Sequence, residues 1–83
     1  MNRRYTMRYY DHHNKVVMTV KADESGAAMI SADYYMGMAE IGEAFTYIQR
    51  CALFYRNKVV ARKHINGVWI EWRWGKWSPI AVA

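Results

Sequence analysis

Near the start of the chain Tyr5, Met7 and Tyr9 alternate with Arg4, Thr6, Arg8 and Tyr10, and further on Val16, Met18 and Val20 alternate with Val17, Thr19 and Lys21. A period of two belongs to strands with one buried and one wet face, so the two segments are predicted to form a hairpin. Pairing Tyr9 with Val16 aligns the apolar sets. It leaves Asp11-His12-His13-Asn14 as a polar turn of about four residues.

The middle of the chain has a different period. Tyr34, Met38, Ile41, Phe45, Ile48, Ala52 and Tyr55 recur at steps of four and three, which predicts one apolar stripe of a helix. Asp33, Glu40, Glu43 and Tyr47 follow a second line and are expected to form its wet face. Asp23 or Ser25 can cap the N-terminus, and Arg50 and Arg56 suit the negative end of the helix dipole. A single helix over residues 26–55 would be ~45 Å long, too long for so short a chain. A kink or break is therefore expected at Gly37 or Gly42, since glycine costs about 1 kcal/mol in a helix interior.

Strand alternation returns at Val59. Asn66-Gly67 between Ile65 and Val68 predicts a type I′ hairpin, which sets Arg62 opposite Glu71 and Ala61 opposite Trp72. In that register Val59, Ala61, Ile65, Val68, Ile70, Trp72 and Trp74 share the core face, and Val60, Arg62, His64, Trp69, Glu71 and Arg73 share the other. A second turn at Gly75-Lys76 is expected to return Trp77 beside Trp74, and Pro79 marks the last strand as an edge. Three tryptophans thus read as core and Trp69 as exposed. The resulting expectation is an α+β fold of order ββαβββ, a single domain over residues 1–83, with one helical layer packed on one face of an antiparallel sheet.

Composition supports a packed globule: 53% of the residues are hydrophobic and 16% aromatic, with one proline. Cys51 is the only cysteine, so no internal disulfide or cysteine-based zinc site can form, and a reducing, cytoplasmic setting is the default expectation. The basic N-terminal stretch MNRRYTMRYY is followed by no apolar h-region, and no apolar run is long enough for a membrane span. Charge changes the picture more. From Ala22 to Gln49 there is no lysine or arginine, while the twelve basic residues lie outside that block against only Asp11 and Glu71. If the blocks form separate layers, the protein is electrically two-sided.

The wet sheet face would then present Arg4, Arg8, Lys21, Arg62 and Arg73 with Tyr10, His64 and Trp69. Cations that neutralise phosphate and flat rings that stack on bases are the two components of sequence-tolerant nucleic-acid binding. A wet face can also use arginine and lysine only for solubility and against edge aggregation. The expected role is non-enzymatic binding of nucleic acid, or of a complex that handles it, without cofactor or metal. The alternative is a protein-docking inhibitor of phage or mobile-element type, anti-CRISPR-like in size and charge, presenting either the basic sheet or the acidic residues Asp33, Glu40 and Glu43. A homodimer through an edge strand or the methionine-bearing helix is compatible with either. Adjacent His12 and His13 in a short turn point apart and read as turn residues, and Cys51 beside an apolar stripe reads as a core thiol.

Overall fold

The computed structural model of the chain describes residues 4–80, so Met1–Arg3 of the basic N-terminal stretch and the last three residues of the expected domain lie outside it. It has six strands and one helix: β1 (Tyr5–Tyr10), β2 (Val16–Ala22), α1 (Ser25–Glu40), β3 (Arg50–Tyr55), β4 (Lys58–His64), β5 (Ile70–Arg73) and β6 (Lys76–Pro79). All strands join one antiparallel sheet in the order β2-β1-β3-β4-β5-β6, and α1 lies across β1, β2 and β3. The class is the expected α+β with one helical layer. An additional strand, β3, makes the order ββαββββ, and β6 with Pro79 is an edge as its proline requires.

The first hairpin changes its register and keeps its predicted faces except at Val16, which pairs with Tyr10 of the open face. Tyr9 faces Met18 and Tyr10 faces Val16, with a bulge between them that leaves Val16 exposed. The pairing moved by an even number of residues, so Met7 and Tyr9 still point to the core with Met18 and Val20 packed beside them. Asp11 organises the turn, its Oδ1 accepting the amides of Lys15 (3.0 Å) and His13 (2.8 Å); the Lys15 amide first, and that of His13 with it, hold its carboxyl below the usual carboxylate range.

The helix is shorter than its periodicity implied. Gly42 adopts φ +76°, and the amides of Gly42 and Glu43 return to the carbonyls of Ala39 (3.1 Å) and Met38 (3.0 Å). That is a Schellman ending, for which glycine in the left-handed region is the favoured residue. The break expected near Gly42 is therefore a stop. Glu24, without a side-chain cap bond, takes the N-cap position expected of Asp23 or Ser25. The buried stripe is Ala28, Ala32 and Met36, whereas Tyr34 and Ile41, assigned to the core from their spacing, are exposed. Downstream, Ile48 enters the core from a loop, and Ala52 and Tyr55 belong to β3.

β3 is a central strand, and Cys51, Ala52 and Leu53 are buried in succession. Its left-handed Arg56 and Asn57 make a two-residue turn closed by the Tyr55–Lys58 pair, the conformation of a type I′ hairpin. The core joins Met7, Tyr9, Met36, Ile48, Cys51, Leu53 and Ala61 under the helix.

Candidate nucleic-acid interface

The Asn-Gly turn does not form as its dipeptide predicts. Ala61 faces Glu71 and Arg62 faces Ile70, one residue away from the expected pairing. Of the two turn residues Asn66 has the positive φ (58°), and the Gly67 amide bonds to the His64 carbonyl (2.9 Å), leaving a longer connection. Four contacts outside the turn account for this. The Asn66 amide and Lys63 Nζ donate to Glu40 Oε2 (2.7 and 3.2 Å), the Ile65 amide to the Gln49 carbonyl (2.8 Å), and the Trp69 indole to Asp33 Oδ1 (2.8 Å). Hydrogen bonds to charged groups contribute about 1.5–3 kcal/mol each, more than a local turn preference supplies. Gly67 also fits closely here: a Cβ would stand 3.1 Å from the His64 carbonyl oxygen, so a larger residue would have to displace that backbone by a few tenths of an ångström.

A shift of one residue exchanges the faces of a strand. Trp69, expected on the open face, packs against the core beside α1, and Trp72, expected in the core, is 52% exposed on the face away from the helix. Val68 and Ile70 leave the expected core set with it: Val68 is exposed, and Ile70 is half-buried opposite Arg62. The last turn is displaced as well. Its central residues are Trp74 (φ 56°) and Gly75 (φ 75°) rather than Gly75 and Lys76, so Trp74 stands at the hairpin tip, 89% exposed. Trp77 pairs with Trp72 across β5 and β6, their ring centroids 5.6 Å apart.

The open face differs in membership from the one the sequence suggested. Arg8 and Tyr10 of β1, Lys21 of β2, and Arg62 and His64 of β4 share it through their cross-strand pairs, and exposed Arg4 continues the parity of β1. Arg73 does not share it. Its Nε lies 3.3 Å from Glu71 Oε1, two residues back on the opposite side of β5. The sequence reading missed Arg50, Phe54, Trp72 and Trp77. Arg50 and Phe54 follow from the pairings of Tyr10 with Arg50 and Thr6 with Phe54 once β3 is a strand, and Asn57 after Tyr55-Arg56 is the turn signal that could have revealed it.

On this face guanidinium groups lie over aromatic rings in three places. Arg50 is 3.8 Å from the Tyr10 ring centroid, Arg62 4.4 Å from that of Trp77, and Arg8 4.6 Å from that of Phe54. Arg50 Nε also donates to Asn14 Oδ1 at 3.3 Å. No aspartate or glutamate occupies an open-face strand position among the described residues.

The acidic alternative is dispersed. Asp33 holds Trp69, Glu40 holds Lys63 and the Asn66 amide, and Glu43 is exposed beyond the helix end. The Asn66 amide first, and Lys63 with it, hold the Glu40 carboxyl below the usual carboxylate range. Cys51 is fully buried, and burial pushes its thiol up to about 12, so it is no nucleophile at neutral pH. Among the described residues no helix is long and apolar enough to cross a membrane. Compared with protein-family models, curated proteins and solved structures, the chain has no significant match.

Proposed function

We propose that this protein binds nucleic acid, without catalysis, through the open face of its sheet. The observation that carries the reading is the set of three arginine–aromatic stacks on a face whose strand positions bear no carboxylate. A guanidinium stacked on a ring is held in place while its in-plane N–H groups remain directed outward, ready to take a phosphate oxygen pair. Surfaces that serve solubility alone intersperse both signs of charge. A one-sign patch instead attracts a polyanion, and its rings add stacking surface that tolerates any base.

Anisotropy titrations of labelled oligonucleotides across a range of salt concentrations test this. Arg50→Ala and Arg62→Ala should each weaken binding to any sequence and reduce the slope of log K against log salt by about 0.7 on single strands. Binding that ignores salt, or variants that bind as the parent does, would refute the reading.

A second reading has one observation in its favour. On the outer side of α1, Ile30 and Tyr34 are 72% and 60% exposed, where a solvated helix would carry charge. An inhibitor that docks on a protein would use this apolar stripe rather than Asp33 and Glu40. Loss of a stoichiometric protein complex on Ile30→Ser and Tyr34→Ser, with oligonucleotide binding intact, would favour it.

A further inference from the structure

The β4–β5 ladder stops after two pairs, Ala61–Glu71 and Arg62–Ile70. The next pair in register would be Val60 with Trp72. Val60 is the residue that bulges out of the β3–β4 pairing, between Ala61 opposite Leu53 and Val59 opposite Phe54. A bulge bends its strand and ends pairing locally. The two strands therefore part at Val60 and Trp72, and both residues line a cleft on either side of the parting. The larger cleft, about 400 Å³, is bounded by Lys58, Val59, Val60, Trp72 and Trp77. The smaller, about 250 Å³, also contains Glu71 and lies toward Tyr5 and Met29.

We infer that the larger cleft seats one unstacked base of a single-stranded nucleic acid. This inference rests on the reading of the open face as a phosphate-binding surface. Trp72 offers a half-exposed indole, Val59 and Val60 supply an apolar wall, and Trp77 closes the floor with Arg62 on its ring at 4.4 Å. Clefts of ~300–1,000 Å³ suit small planar ligands. Charge selects which planar group enters: Lys58 lines the cleft, Arg62 lies over the ring of its floor residue Trp77, and, unlike its smaller neighbour, the cleft has no carboxylate in its lining. A base brings phosphates on both sides within reach of those cations. In a duplex both faces of each base are already stacked and paired, so the seat discriminates in favour of single strands.

The test compares oligothymidine of about twelve nucleotides, within the site sizes of such surfaces, with a strand of equal length whose bases are replaced by abasic tetrahydrofuran units. Phosphate number is the same in both, so the difference in affinity reads the base alone. The parent protein should bind the thymidine strand about ten-fold or more tightly than the abasic one, the value of one stacked base. Trp72→Ala should remove that preference and leave abasic affinity unchanged, whereas Trp72→Phe, which keeps a ring, should retain most of it. Equal binding of the two strands, or a Trp72→Ala loss shared equally by both, would overturn the base seat while leaving the phosphate reading in place. Failure of both strands to bind at low salt would overturn both.

Discussion

Asp33 and Glu40 determine how the β4–β5 connection runs, because each accepts a hydrogen bond from it: Asp33 from the Trp69 indole, Glu40 from the Asn66 amide and Lys63. The folded protein holds Glu40 ionised more firmly than the unfolded chain does, so at low pH the unfolded state binds the extra proton. The stability from the Glu40 contacts is complete above the ordinary glutamate value, near 4.5, and is lost as the pH falls through the lowered folded value. Urea titrations at a series of acidic pH values should show that Glu40→Gln is less stable than the parent near neutrality and that the gap narrows as the solution is acidified. The tryptophans divide in the same terms. Trp69→Ala removes a core-packed ring and a bond to a carboxylate and should cost on the order of 2–3 kcal/mol in equilibrium unfolding. Trp72→Ala loses an edge contact with Trp77 and should cost about 1 kcal/mol, a ranking opposite to that implied by the Asn-Gly dipeptide.

Elements were legible where one face of a strand meets water. Tyr5, Met7 and Tyr9 of β1 alternate visibly, and their side of the sheet survived even a change of register because the shift was even. β3 was not legible. A central strand with Cys51, Ala52 and Leu53 buried in succession has no alternation to display, and Ile48, Ala52 and Tyr55 happen to continue the three-and-four spacing of the helix before them. The Asn-Gly turn misled for another reason: contacts from Glu40, Asp33 and Gln49, distant in sequence, outweighed a local preference. As a result half the candidate site was visible early, in Arg8, Tyr10, Lys21, Arg62 and His64, while Arg50, Phe54, Trp72 and Trp77 depended on tertiary register. The last hairpin carries a cost of its own. Trp74 is held at φ 56°, where a side chain of this size costs about 1–2 kcal/mol, and it is almost fully exposed. Trp74→Asn creates an Asn-Gly pair suited to both positive φ angles and should stabilise by about 1 kcal/mol, visible as a higher melting temperature. An unchanged or lower value would show that the ring packs in solution.

At the scale of the whole molecule, one helix lies across β1, β2 and β3 on one side of a six-stranded sheet and leaves the other side open. The segment without lysine or arginine supplies that helix and the loop after it, and the basic flanks supply the strands. The separation of charge along the sequence thereby becomes a separation between layers, with the carboxylates of Asp33 and Glu40 used to anchor the β4–β5 connection and the arginines of β1, β3 and β4 free of carboxylate neighbours on their own face. The central claim is that this face receives the partner. Its most direct measurement is a two-dimensional NMR titration of the isotopically labelled protein with a short single-stranded oligonucleotide, following the indole N–H signals of the four tryptophans. The signals of Trp72 and Trp77 should shift progressively while that of Trp69, bonded to Asp33 beneath the sheet, stays in place. Shifts confined to Trp69 and the amides of α1, or none at all at saturating oligonucleotide, would contradict the account.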